Sequence, residues 1–310
     1  MKSIEGILTF SKGILCKREI IGKSFKATVS GINIELFFPT ANENISKEEI
    51  SEKGFPELLP PTIGKRWIRG DKSIYWGSIM QYPKLHILVE KVVVKISCED
   101  GKEEETTEKV YSTITEWDYA FVCFIELVTK QVLFEEINIP KKQCQLEILY
   151  YDNYRSAGTI YGIMHSDDSF ASDDIIKQAI NFANSGKELF LEYQMLLSAY
   201  EARKRKQYRQ AILDGCSAME ICLNKYIKKF CAEKDMDPDI LLRKYRFLGD
   251  KFKLVKQLDA NFPNLEYESL IVTPRNNLMH NNMLYPDNNT VCSLLKSVED
   301  FLSHYHTTYY

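Results

Sequence analysis

The feature that most constrains this chain is a change in the period of its apolar residues near Asp173. Before about Tyr161, short runs rich in β-branched and aromatic residues are separated by Gly, Pro and Asn, the pattern of half-buried strands. Ile32, Ile34 and Leu36 fall on one side of such a strand, and Asn33 and Glu35 on the other. After Asp173, apolar residues recur every three or four positions, as in Leu189, Tyr193, Leu196, Leu197 and Tyr200, or Val291, Leu294, Leu295, Val298, Phe301 and Leu302. A period of two and a period of 3.6 cannot share one regular element, so β-rich and helical parts must follow one another. The expected class is α+β. An antiparallel β-sandwich or barrel is expected over residues 1–170, followed by an all-α bundle over residues 171–310.

In the first part, strands are expected near residues 4–10, 14–21, 25–38, 74–80, 85–97, 119–134 and 146–151, with the acidic stretch 99–108 as a solvated hairpin tip. The run Lys65-Arg66-Trp67-Ile68-Arg69-Gly70, with Trp76 beyond it, could stack on and grip a single strand; the plainer reading makes both tryptophans part of the sheet's core or rim. Asp167, Asp168, Asp173 and Asp174 read as a linker and a helix start, where Ser172 is a natural cap.

A chain of 310 residues, 45% hydrophobic and 27% charged, is long enough for two buried cores. A net charge of -3 excludes a generally basic protein, so nucleic acid would have to be held by a local patch. Such a patch is available, because Lys and Arg outnumber Asp and Glu between residues 186 and 260. The eight cysteines form no C-x-x-C pair and sit mostly in apolar runs, as expected of free thiols in a reducing compartment. With no secretory signal and no apolar run of membrane-spanning length, a cytoplasmic protein without a membrane partner is expected.

The densest chemistry lies in Arg275-Asn276-Asn277-Leu278-Met279-His280. On a helix, Asn276 and His280 share a face, so the amide can orient the imidazole. Arg275 is five residues from His280, about 140° round an ideal helix, and reaches the same point only by its long side chain, a distorted turn or a second chain. Imidazole exchanges protons near neutral pH, and guanidinium grips phosphate through paired hydrogen bonds, which suits phosphodiester chemistry without metal or cofactor. Upstream, Thr273 and Pro274 read either as an N-cap and first helical residue, or as a kink within one helix. Two basic groups fall in the same half: Arg203, Lys204, Arg205 and Lys206 with Arg209, and Arg243, Lys244 and Arg246. They read as solvated helix ends that could also steer a polyanion. Glu220 is expected to pair with a base or to cap a polar site, whereas His304 and His306 fall in a terminal tail and make no convincing metal pair.

In its all-helical C-terminal part, in Ala218-Met219-Glu220 and in the Arg-Asn-x-x-x-His motif before the last helix, residues 180–310 resemble the HEPN family. The resemblance implies a metal-independent endoribonuclease with Arg275, Asn276 and His280 as catalytic residues and RNA, transfer RNA included, as substrate. It also implies a homodimer in which two motifs share a cleft. A β-rich part ahead of such a domain looks like the ApeA-type abortive-infection proteins, which implies a phage or host trigger at the β part. Family toxins silenced by nucleotidylation carry Tyr two residues after the His, whereas Asn282 stands here, so that control is not expected. The alternative is a non-catalytic module that dimerises and binds RNA or a nucleotide.

Overall fold

A computed structural model describes residues 2–41, 56–63, 74–80, 86–131, 145–148, 169–259, 262, 266–280 and 285–310. The segments 42–54 and 65–70, together with His165, Asp167, Asp168 and Asn282, lie outside the described residues. The chain divides into two compact units, Met1–Glu188 and Leu189–Tyr310.

The first unit is built on β1 (Lys2–Lys17), β2 (Ser24–Val29), β3 (Ile32–Phe37), β4 (Gly77–Met80), β5 (His86–Cys98) and β6 (Gln145–Ile148). They form one antiparallel sheet in the order β2-β3-β5-β1-β6, with β4 also paired to β5. β2 and β3 are joined by Ser30 and Gly31, both at positive φ, the two-residue loop whose twist matches that of the flanking strands. The two runs expected at residues 4–10 and 14–21 are one long strand, interrupted by a register shift between Thr9 and Ile14. Trp76 is buried beside β4, in keeping with the core reading of that residue.

Where a strand was expected at residues 119–134 and a hairpin tip at 99–108, the chain forms a single helix, α1 (Glu103–Thr129). Its acidic residues Glu103, Glu104 and Glu105 occupy the first turn, where free amides and the helix dipole favour negative charge. Val110, Ile114, Trp117, Phe121, Phe124 and Ile125 form its buried face. α1 runs along β1 in the same direction. Lys2 pairs with Glu103 at 3.0 Å, Phe10 stacks on Phe121 with centroids 5.6 Å apart, and Lys12 pairs with Glu126 at 3.0 Å. At the far end the Gln131 amide mimics a neighbouring strand, accepting from the Leu15 N–H at 2.6 Å and donating to the Leu15 carbonyl at 3.0 Å. No second sheet faces the first among the described residues; α1 and α2 (Asp173–Ser185) pack on it instead.

α2 starts as expected, with Ser172 Oγ accepting from the Ile175 N–H at 3.4 Å, but it belongs to this unit. Phe182 meets Phe124, and Asn184 Oδ1 accepts from both the Trp117 indole and the Thr28 N–H at 3.0 Å. The boundary between units therefore falls after Glu188, beyond the position near 170 suggested by the change of period.

The second unit contains α3 (Leu191–Lys204), α4 (Tyr208–Glu233), α5 (Pro238–Lys244), α6 (Leu248–Leu258), a π-helical turn (Glu268–Val272), α7 (Thr273–Met279) and α8 (Asn288–Tyr305). α4 is the central helix, burying Ile212, Met219, Cys222, Leu223 and Ile227. α8 crosses it where Gly215 removes a side chain: a Cβ there would lie 2.8 Å from the Cδ2 atoms of Leu294 and Leu295. No helix among the described residues is long and apolar enough to cross a membrane.

One buried group carries a measurable pH signature. Asp118 on α1 is wholly buried; one carboxyl oxygen accepts from the Ser11 N–H at 3.0 Å and the other has no partner among the described residues. Burial raises its pKa from 3.8 to about 6, against the opposing pull of the Ser11 hydrogen bond. Because the folded value exceeds the unfolded one, its contribution is complete below about pH 4 and is lost as pH rises through about 6, a loss of about 3 kcal/mol. Asp118→Asn is expected to flatten that slope and to leave the protein more stable than wild type above neutrality, as measured by urea denaturation across the same pH range.

Candidate functional site

The segment leading to Arg275 is anchored at Tyr267, which is buried and stacked on Phe252 at 4.5 Å, with Phe301 edge-on at 5.7 Å. From there the chain is helical without a break, but it widens into a π turn over Glu268–Val272, where the Thr273 N–H donates to the Glu268 carbonyl five residues back. Pro274 is the cause: it lacks an N–H, and in a tight α turn its ring would crowd the carbonyl four residues before it. Over Tyr267–Met279 the continuous helix is thus the alternative that holds, ending at His280 and not running on as one helix to Leu284 as that reading had it. Thr273 has helical backbone angles (φ -64°, ψ -50°) and is not an N-cap, so Arg275 and Asn276 do not stand over the free amides of a first turn.

Pro274 and Leu278 are buried, and the Cys216 thiol of α4 reaches the Ile271 carbonyl at 3.9 Å, which seats α7 against α4. Arg275 is half-buried and close enough to Cys216 to act on its titration. Burial pushes that thiol up to about 12, Arg275 opposes the rise, and Glu220 adds to it. Glu220 is itself paired with the buried Lys251 of α6 at 2.5 Å, the base-paired arrangement that was one of its two expected roles. The Arg275 guanidinium and the Glu220 carboxylate therefore both act on one buried thiol, a grouping that no local spacing predicts.

Asn276 and His280 are both exposed and lie one turn apart, linked through the backbone by the His280 N–H and the Asn276 carbonyl at 2.9 Å. No side-chain hydrogen bond joins them among the described residues. The π turn lies upstream of Arg275, and regular α geometry runs on to Met279, so no backbone distortion turns Arg275 toward His280.

The basic residues separate into two kinds. Arg203 and Lys204 are buried, and Arg203 Nε donates to Asn288 Oδ1 at 3.2 Å, so these two are not the solvated helix end expected from sequence. Arg205, Lys206, Arg209, Arg243, Lys244 and Arg246 are exposed.

Pairings along α4 fix which end of the unit they occupy. Gly215 meets Leu294 and Leu295 while Tyr226 meets Tyr305, and Glu220 meets Lys251 while Tyr226 bonds Asp259, so α6 and α8 both run parallel to α4. The Tyr267-to-His280 segment runs the other way, from Phe301 toward Cys216. His280 therefore emerges toward the α4 N-terminal end, where Arg205 and Lys206 form the α3–α4 turn and Arg209 lies in the first turn of α4; Arg246 precedes α6, on the N-terminal side of Glu220. Phe247, Met279 and Tyr285 leave large apolar side chains exposed on segments that reach the same end.

Among the described residues, one group could hold a metal: Glu192, Cys222 and His306, further along α4. His306 is not in a loose tail; its ring packs on Phe190 at 4.7 Å and meets Glu192 at 2.5 Å.

The Glu220–Lys251 pair yields a stability test. Removing the carboxylate leaves a buried ammonium uncompensated, which for a fully buried pair costs about 3–5 kcal/mol. Because the Glu220 side chain is about a third exposed, solvent screening reduces that, and Glu220→Ala is expected to destabilise by about 2 kcal/mol in chemical denaturation. Compared with known proteins, the chain matches no family model, no curated protein and no solved structure.

Proposed function

We propose that the helical unit is a metal-independent endoribonuclease of the HEPN type, acting on RNA in the cytoplasm as part of an abortive-infection response. The observation that supports this reading is that the segment carrying Arg275, Asn276 and His280 runs toward the end of the unit that also carries the exposed bases Arg205, Lys206 and Arg209.

In this reading the bases draw the polyanion to that end. His280, exposed to solvent, takes the proton of a ribose 2′-hydroxyl or returns one to the departing 5′-oxygen. Arg275 stabilises charge on the phosphorane, and Asn276 holds the phosphate or the imidazole. The nucleophile is the neighbouring hydroxyl of the substrate, so attack is intramolecular and needs few protein groups. The products are a 2′,3′-cyclic phosphate and a 5′-hydroxyl, and DNA, which lacks the hydroxyl, survives.

Arg275 and His280 remain about 140° apart on α7, and one imidazole per chain can serve only as acid or base at a time. A homodimer answers both points by bringing two motifs to one phosphate, and the exposed Phe247, Met279 and Tyr285 are the apolar surface it would cover. The β-rich unit is assigned the recognition of a phage or host trigger.

Incubation of total RNA with the purified protein in excess chelator, followed by end-group analysis, is expected to yield cyclic phosphate ends. His280→Ala should reduce cleavage by about 100-fold or more. Equal cleavage by that variant would overturn the assignment; RNA binding without cleavage by the wild type would favour the non-catalytic module.

A further inference from the structure

The helical unit contains a second cluster that the nuclease reading leaves unused. Glu192 on α3 is fully buried, and both carboxylate oxygens accept from Lys225 Nζ of α4, at 2.7 and 3.0 Å. His306 Nε2, just beyond α8, lies 2.5 Å from one of them, and the buried Cys222 sulfur completes a group whose donor atoms all fall within 4.8 Å of one another. The His306 ring is fixed by Phe190 at 4.7 Å and Tyr305 at 4.6 Å. Burial holds the Cys222 thiol well above its usual range, with Glu192 adding to that and Lys225 opposing it.

We propose that Glu192, Cys222 and His306 form a zinc site that ties the C-terminal end of the chain to α3 and α4, with Lys225 as the group that occupies the site's charge when zinc is absent. The donors are a carboxylate, a thiol and an imidazole, the three ligand types zinc takes, and they come from three separate elements. Tetrahedral zinc bonds of about 2.0–2.3 Å place ligand atoms about 3.3–3.8 Å apart. The His306–Glu192 contact therefore opens by about 1 Å and the sulfur, no more than 4.8 Å from either, closes in by at most a similar amount, within the reach of side-chain adjustment.

Charge explains the place of Lys225. Without metal, one ammonium balances one carboxylate and Cys222 stays a neutral thiol. With metal, Zn²⁺ is balanced by the carboxylate and a thiolate, and Lys225 is one positive charge too many. The Lys225 side chain is 41% exposed, so it can turn out to solvent, and water enters behind it as the fourth ligand. Binding breaks the Cys222 S–H bond, forms a Zn–S bond and releases the proton to solvent, so affinity rises with pH.

The test is titration of the full chain with zinc against a chromophoric chelator, and with cobalt(II) followed by absorbance. One ion per chain is expected, with a thiolate-to-cobalt charge-transfer band. Cys222→Ser and His306→Gln should weaken binding by on the order of 100-fold and Cys222→Ser should abolish the band, while Lys225→Met should tighten binding by about tenfold through removal of the competing cation. Zinc binding by neither wild type nor Lys225→Met, or an unchanged site in Cys222→Ser, would overturn the proposal. The cobalt spectrum of the wild type and the Lys225→Met affinity hold their meaning even if the serine variant fails to fold. None of these readouts depends on RNA cleavage.

Discussion

The close approach of α4 and α8 at Gly215 is the contact on which the helical unit depends. With no Cβ in the way, Leu294 and Leu295 settle against the α4 backbone, and the two helices share a dry seam that includes Ile212, Met219, Leu223, Val298 and Phe301. Each such side chain contributes about 1.5–3 kcal/mol by leaving water. The seam also sets direction: with α8 parallel to α4 and the Tyr267-to-His280 segment antiparallel to it, His280 and the start of α8 both lie toward the α4 N-terminal end. The position of the candidate site is a consequence of that packing before it is a matter of chemistry.

Polar groups in the unit follow from the same burial. α4 carries Glu220 and Lys225, which meet Lys251 and Glu192. A carboxylate or ammonium withdrawn from water needs a partner at hydrogen-bond distance, because the desolvation cost of an unpaired one would be several kcal/mol. These pairs hold α3 and α6 in register along α4 and leave Arg275, half-buried beside Cys216, without a carboxylate of its own among the described residues. Pro274 makes a comparable local demand. Its missing donor and bulky ring are accommodated by a π turn, and Pro274 then packs inward beside Leu278 while Asn276 and His280 face solvent.

Most of the helical elements were legible in the spacing of their apolar residues, and Ser172, the cap expected from sequence, marks one start with a side-chain oxygen that accepts a first-turn N–H. The helix α1 was not. Between Trp117 and Leu127 it holds the exposed Tyr119 and half-buried Cys123 besides the buried Phe121, Val122, Phe124 and Ile125, so a period of two fits as readily as 3.6 and the β-branched and aromatic content tips the reading toward a strand. Packing decided it: Val110, Ile114, Trp117 and Phe121 cover the apolar face of β1, and as a helix they present that stripe while satisfying every interior amide. The same limit applies to Arg203 and Lys204, whose sequence looks like a solvated turn and whose side chains are buried in the unit.

By itself the sequence determined the order of a β-rich part and a helical part, the helix faces of α3 and α8, and the presence of Arg275, Asn276 and His280 within six residues. Those are properties of neighbours up to about one turn apart, which the period of the chain records directly. Only the tertiary structure decided that α1 is a helix, that α2 belongs with the sheet, that Glu220 meets Lys251, and that Glu192, Cys222 and His306 converge. Those contacts join residues up to more than a hundred positions apart, and their energies come from burial and charge pairing that exist only once distant helices have packed.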